Sequence, residues 1–380
     1  MSERTLGVVS TPMKADEKRA PLHPDHIARI DADLRARMVL ERGYGERFGV
    51  SDDVLAPLVK GLASREEVFA CDIVLLPKPT EGDFRFFREG QTIWGWPHCV
   101  QGPAITQVAI DKKLTLIAWE EMHHWDGDTF HLHVLHVNNE LAGYGSVLHA
   151  LNLAGICGHY GAHRRAAVIG FGSVGRGAIH ALQGQGFADI TLFTKRPGPA
   201  VRAPIPGVRH WQYRKIAAGQ PEAEVILTDE PMPMPKALGH FDIIVNAILQ
   251  DTDDPELFVR NDELDQLKER ALIVDVSCDE GMGFEFAKPT SFADPWFGVG
   301  DRGVRYYAVD HTPSYLWNTA TWNISRAIRP FLRDVMDGPE GWDRNTTIRR
   351  AIEIRDGVVK NEKILRFQDR EAVYPHRRRG

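Results

Sequence analysis

The chain has 380 residues, long enough for two hydrophobic cores, and its 43% hydrophobic and 26% charged content is that of a globular protein. A formal net charge of −6 excludes nucleic acid as the principal partner, and the basic His376 to Arg379 run reads as a solvated tail. Four cysteines (71, 99, 157, 278) without a C-x-x-C spacing exclude a disulfide framework and predict reduced thiols.

In chain order, short apolar strands are expected at 5–10 (TLGVVS), 37–41 (RMVLE) and 72–76 (DIVLL), with a helix over 26–35 between the first two. Residues 141–158 carry no Asp, Glu, Lys or Arg. Four glycines, His149 and Asn152 make them a poor hydrocarbon span, so they predict a buried helix. Further strands are expected at 166–169, 189–196, 224–228, 241–248, 271–277 and 305–310, with a helix over 262–270. Residues 300–305 and 337–345 (DGPEGWDRN) read as loops, and 323–336 and 346–354 as helices. Repeats and low-complexity tracts are absent. The polar N-terminus lacks the apolar run of a secretory signal, which predicts a cytoplasmic protein without membrane contact.

Near the middle, AAVIGFGSVGRGAIHAL (166–182) joins a strand to a helix through Gly170-x-Gly172-x-x-Gly175. Gly170 permits the tight turn, Gly172 admits a pyrophosphate to backbone N–H groups, and Gly175 allows close helix–strand packing. Ser173 and Val174 open the helix whose N-terminus would face the phosphates. The next strand ends in Thr194-Lys195-Arg196, where an NAD site would carry a carboxylate for the ribose 2′-hydroxyl. Two cations and a hydroxyl suit a 2′-phosphate, so the expected cofactor is NADP(H), with NAD(H) as second choice.

These elements give an α/β protein of two Rossmann-like domains. A dinucleotide-binding domain at 140–315 is inserted into a discontinuous substrate domain made of 1–139 and 316–380, with a cleft between them.

Four polar clusters fall at expected strand ends or in loops. Glu17-Lys18-Arg19 follows the first strand; alone it reads as surface, but an arginine fork can hold a carboxylate. Lys78, between Pro77 and Pro79, is an ordinary end-cap unless it faces a ligand, where it could polarise a carbonyl. His98, in REGQTIWGWPHCVQG, is placed for proton transfer near neutral pH, or is a satisfied structural histidine. Asp275-x-x-x-Asp279 closes a dinucleotide-domain strand, as a turn or as a carboxylate facing the nicotinamide or the substrate amine. Histidines 123, 124, 131, 133 and 136 invite a metal, but no Cys or carboxylate stands at a convincing spacing, and no metal is expected. Trp94, Trp96, Trp119, Trp317 and Trp322 read as core or pocket walls.

Together these segments resemble the alanine dehydrogenase and lysine-forming saccharopine dehydrogenase superfamily, and within it the N5-(carboxyethyl)ornithine synthase branch. The likeness is carried by DEKRAPLHP (16–24), REGQTIWGWPH (88–98), ELAGYGSVLHAL (140–151), FDIIVNAILQDTDDP (241–255), IVDVSCDEG (273–281) and VDHTPS (309–314). REGQ-x-x-x-GW-x-H and the DTDDP loop point to the carboxyethyl-ornithine branch.

The resemblance implies that Arg19 holds the 2-oxo acid carboxylate, that Lys78 and His98 are catalytic, and that Asp279 lies close to the nicotinamide. Alanine dehydrogenases carry Asn and a Met-Pro-Gly near residue 311. Here the chain has His311-Thr312-Pro313-Ser314, which assigns His311 to the substrate and counts against ammonia as nitrogen donor. The segment 120–136 and the tail after 337 match no branch. The implied activity is NADPH-dependent, opine-type reductive condensation of a 2-oxo acid such as pyruvate with the amino group of an amino acid such as ornithine or lysine. Saccharopine-type and alanine dehydrogenase chemistry are the enzymatic alternatives, and a non-catalytic NADP(H)-binding sensor is the alternative of another class. A homo-oligomer is implied by resemblance.

Overall fold

Apolar runs of three to six residues separated by helices form two largely parallel sheets in the computed structural model, which describes residues 3–217, 219–226, 230–251 and 253–379. The chain divides into two compact units, Met1–His136 with Trp317–Gly380, and Val137–Leu316.

In the first unit, β1 (Leu6–Val8), β2 (Met38–Glu41), β3 (Gly61–Ala63), β4 (Ile73–Leu75), β5 (Thr92–Gly95) and β6 (Thr115–Ala118) pair in parallel, in the order 6-5-4-1-2-3. β1, β4, β5 and β6 are buried throughout, as expected of strands covered on both faces. Their side chains alternate between two cores. Leu6, Val8, Ile73, Leu75, Trp94 and Ile117 join one, and Val74, Ile93 and Leu116 the other. A hairpin of β7 (His123–Asp126) and β8 (Thr129–His133) follows β6. It accounts for the unmatched 120–136 segment, and among the described residues no group of three or more potential metal ligands converges there or elsewhere.

The end of the chain adds two strands beside β6. Ile352–Arg355 pairs antiparallel with β6, and Val358–Val359 pairs antiparallel with Ile352–Arg355. The expected helix over 346–354 therefore stops at Ala351, because the alternation Ile352, Glu353, Ile354 fits a half-sheet register better than a helix face. The expected loop over 337–345 holds the helix Pro339–Arg344, started by Pro339 at its first position after Gly338 in the positive-φ region. The expected helix over 26–35 is two short ones, Pro24–Ile27 and Ala32–Arg35, broken where Asp31 takes an extended ψ of 138° as N-cap. Residues 323–336 are split between Trp317–Ile328 and Leu332–Met336 by a 3-10 turn at Arg329–Phe331, where Pro330 stands.

In the second unit, β9 (Arg165–Ile169), β10 (Asp189–Thr194), β11 (Val208–Lys215), β12 (Ala223–Ile226) and β13 (Met232–Pro233) run to one side of the sheet. β14 (Ile243–Asn246), β16 (Leu272–Asp275), β19 (Val304–Tyr307) and β18 (Trp296–Val299) run to the other, while β15 (Leu257–Val259) and β17 (Gly283–Phe284) pair separately. The order 13-12-11-10-9-14-16-19-18 reverses between β9 and β14. Ala167, Ile169, Ile244 and Ile273 pack into one core, and Ala166, Val168, Ile243, Val245 and Val274 into the other. Residues 227 and 228 of the expected strand 224–228 lie outside the described residues, as does Thr252 of the DTDDP loop. The expected helix at 262–270 is a 3-10 turn over Asn261–Gln266. The helix expected at 141–158 spans His136–Ala154 and is buried along one face, and no described helix is long and apolar enough to cross a membrane.

Candidate active site and cofactor site

Each parallel sheet reverses strand order once, and loops leaving the carboxyl ends of strands beside such a point form a ligand crevice. In the first unit the reversal lies between β1 and β4. Arg19 follows β1, Lys78 follows β4 and His98 follows β5, so three neighbouring strands deliver the three residues to one edge of the sheet.

The side chains meet there. Lys78 Nζ lies 2.9 Å from His98 Nε2. The Trp96 ring sits between the cations, with Arg19 Cζ 4.8 Å and Lys78 Nζ 5.9 Å from its centroid. Trp96 is held edge-on by the buried Trp119 at 4.7 Å, and both belong to one of the unit's hydrophobic cores. Arg19 is 2% exposed and donates from Nε (2.7 Å) and Nη2 (2.5 Å) to the two oxygens of Glu17. Its fork is thus fixed by a neighbour in its own cluster, a pairing the sequence reading did not assign. Burying Arg19 without that carboxylate would leave an uncompensated charge.

His98 has φ of +49°, a left-handed conformation that is costly for a side chain with a Cβ. Its N–H donates to Glu120 Oε1 at 2.6 Å, and its Nδ1 lies 3.7 Å from the same oxygen. With Lys78 charged, Nε2 accepts from the ammonium and Nδ1 carries the proton that faces Glu120. Burial and the nearby Glu353 raise the Glu120 carboxyl well above the usual range. Glu120 was missed by sequence reading, although it obeys the same rule as the others: it stands just past β6, the strand beside β5.

In the second unit, Gly170 has φ of +98°, and a Cβ on Gly175 would stand 2.0 Å from the Gly170 carbonyl oxygen. Both positions therefore require glycine. Around Gly172 the space is open, and no side chain caps the helix Ser173–Gly184 that begins with Ser173, Val174 and Gly175. An uncapped helix start at the strand-order reversal, with room above it, fits a dinucleotide pyrophosphate.

Thr194, at the end of β10, accepts from the Arg196 N–H at 3.3 Å, and Arg196 Nη2 donates across the glycine turn to the Phe171 carbonyl at 3.2 Å. Lys195 instead forms a 2.8 Å ion pair with Glu256. Glu256 had no sequence signal, being brought there from the segment after the DTDDP loop. His210, on β11, has its pKa lowered by burial and by Arg196.

Past β16, Asp275 and Asp279 separate in character. Asp275 is fully buried, accepting at Oδ1 from Asn246 (3.0 Å), the Ser277 N–H (3.0 Å) and the Cys278 N–H (3.3 Å), and at Oδ2 from Tyr306 (2.8 Å). It ties the ends of β14, β16 and β19 together, and burial lifts its pKa to about 7. Asp279 is less enclosed, with its carboxyl raised by burial. His311 is 5% exposed, bonded to Asp310 and set edge-on to Phe292.

The two sheets, with a lysine–histidine pair at one reversal and a glycine turn at the other, define an oxidoreductase of the nicotinamide-nucleotide class. The family description "Alanine dehydrogenase/PNT, N-terminal domain" matches residues 7–142, and "Alanine dehydrogenase/PNT, C-terminal domain" matches 150–362. The chain belongs to the alanine dehydrogenase/PNT family.

Among curated relatives, it is 29% identical over 336 residues to an N(5)-(carboxyethyl)ornithine synthase of Clostridium botulinum, covering 83% of this chain and 90% of that one. It is 23% identical to an alanine dehydrogenase of Mycolicibacterium smegmatis, over 95% of this chain and 96% of the other. A solved L-alanine dehydrogenase shares the fold with a TM-score of 0.77 and 18% identity, over 96% and 98% of the two chains.

Proposed function

We propose that the protein is an NADPH-dependent opine-type reductase that condenses a 2-oxo acid, most simply pyruvate, with the amino group of an amino acid such as ornithine or lysine. The reading rests on the 2.9 Å contact between Lys78 Nζ and His98 Nε2, beside the buried Arg19. Its supports are the likeness to a carboxyethylornithine synthase and the Thr194-Lys195-Arg196 end of β10.

The amine nitrogen attacks the ketone carbon to give a carbinolamine, which loses water to give an imine. NADPH, when bound at the glycine turn, would supply the hydride, and the imine, which keeps the remaining amine proton on its nitrogen, becomes the secondary amine as its carbon accepts it. Arg19 attracts the oxo-acid carboxylate, and Trp96 orients the acid against the two cations. Lys78 donates to the ketone oxygen as negative charge develops there. As Lys78 passes a proton to that oxygen it ceases to occupy His98 Nε2, which then takes the proton released by the attacking amine and returns it to the departing hydroxyl as water leaves. Asp279 is assigned to the amine nucleophile or the nicotinamide side, and His311 to substrate. The protein acts in the cytoplasm as a homo-oligomer on small molecules, without a metal.

Alanine dehydrogenation is the second reading, favoured by relatives of that name that span 95% of the chain. The deciding experiment follows NADPH oxidation with pyruvate, 2-oxoglutarate or glyoxylate, each with ornithine, lysine, other amines or ammonia. Oxidation that needs both an oxo acid and an amino acid establishes the opine-type reaction. Oxidation with ammonia alone moves the protein to the second reading. NADPH binding with no oxidation for any pair overturns both.

A further inference from the structure

The left-handed His98 is followed at once by backbone that the end of the chain holds in place. Gln368 Nε2 donates to the Cys99 carbonyl at 2.6 Å, lies 3.3 Å from the Val100 carbonyl, and reaches Thr106 Oγ1 at 3.1 Å. The Cys99 carbonyl also accepts from Thr106 Oγ1 at 3.0 Å and from the Gly102 N–H at 3.3 Å. Cys99 is fully buried, and its thiol is pushed up by burial and by the carboxyls of Glu353, in the returning segment, and Glu120.

Gln368 is itself aimed. Its Oε1 accepts from Arg370 Nε at 2.7 Å, and Arg370 is anchored through Nη1 to Gln107 (2.8 Å) and to the His376 carbonyl (3.1 Å). Both residues are buried, with 4% and 3% of their surface exposed. A tail that only covered apolar surface would have no use for a buried glutamine oriented by a buried arginine, since each costs desolvation. A strained backbone persists only where its surroundings over-determine it, and these bonds do so directly after His98. Gln368 also lies past residue 362, where the family match ends.

We propose that the C-terminal segment is a clamp on the His98 turn and that Gln368 is its positioning residue, keeping the imidazole on Lys78. The proposal rests on the role given to His98 above.

The test uses the full chain with Gln368→Met, which keeps the length and removes the donor, beside His98→Gln. Arg370→Gln, which leaves the amide but removes its orienting bond, serves if Gln368→Met fails to accumulate. Three quantities are read: melting temperature, NADPH turnover with pyruvate and ornithine, and the titration of the His98 ring by NMR of histidine-labelled protein, assigned through His98→Gln. The expected result is a kcat lower by about ten- to a hundredfold with KM for pyruvate little changed, NADPH binding intact, and a displaced His98 titration.

A Gln368→Met protein with unaltered kcat and unaltered His98 titration, whatever its melting temperature, makes Gln368 a structural residue only and overturns the proposal. Turnover retained by His98→Gln overturns the catalytic reading of His98, and the clamp as a catalytic device with it. The two failures are separable, because the second shows in the His98 variant and the first only in the Gln368 variants.

Discussion

Lys195 Nζ and Glu256 Oε1 are 2.8 Å apart, so one of the two cations read as a 2′-phosphate site already faces a carboxylate. The other Glu256 oxygen is buried without a hydrogen-bond partner. A 2′-phosphate must therefore compete with Glu256 for Lys195. Replacing Glu256 by Gln should release the lysine and tighten NADPH relative to NADH by about two- to fivefold, the scale of a half-exposed ion pair. Neutralising Lys195 and Arg196 together should weaken NADPH far more than NADH. Titration of cofactor fluorescence decides both, and equal losses for the two cofactors in the double variant would refute the 2′-phosphate reading.

Gly175→Ala should damage cofactor binding of both kinds alike. Its Cβ would lie 2.0 Å from the Gly170 carbonyl oxygen, a backbone atom that cannot swing aside. The helix Ser173–Gly184 must then move off β9, costing about 1–3 kcal/mol as an overpacked contact and misaligning the N–H groups at its start. Thermal melting and cofactor titration should both show the loss. Unchanged binding with a normal melting temperature would contradict the placement of this turn.

Asp275 should make stability fall as pH rises. Its folded pKa of about 7 lies above the ordinary value of 3.8, so between those limits the folded state holds a proton that the unfolded state has released. Stability is full at low pH and drops through the interval, by about 3 kcal/mol from pH 5 to pH 8 for this group. Asp275→Asn keeps the shape and stays neutral, so it should lack that share of the slope and gain on the native protein as pH rises. Urea denaturation of both proteins at the two pH values measures the difference, and parallel slopes would remove Asp275 as its source.

Much of this was legible in the sequence because the two sheets are built from strands that announce themselves. Ile73–Leu75, Ala166–Ile169, Ile243–Val245 and Leu272–Val274 are uninterrupted apolar runs, as strands covered on both faces must be. Arg19 and Lys78 were visible because each comes after such a run, and His98 because its residue type stands out in REGQTIWGWPHCVQG. Glu120 follows β6, a strand not expected from sequence, and it was absorbed into a histidine-rich segment whose real explanation is the hairpin β7–β8.

Glu256, Glu353 and Gln368 could not be found this way. Lys195 stands 61 residues from Glu256, Cys99, whose thiol feels the Glu353 carboxyl, 254 from Glu353, and the Cys99 carbonyl 269 from Gln368, and only the fold joins them. The tail illustrates the same limit. A pattern of Ile, Glu, Ile, Arg reads equally as a helix end, and what makes it a strand is the open edge of β6 beside it.

Lys78→Met and His98→Ala should each lower turnover by more than about a hundredfold while leaving NADPH binding within about twofold, since neither lies in the glycine-turn unit. They should differ in kind. Removing Lys78 takes away the donor to the ketone oxygen, which strengthens as charge develops, so kcat should fall more than KM rises. Removing His98 takes away the proton carrier, so small imidazoles added to His98→Ala should restore part of the rate, while amines of lysine size should do the same for Lys78→Met. Rescue of each variant by its own missing group, and not by the other, would assign the two roles separately. Loss of NADPH binding in both variants would instead mean that the pair supports the fold.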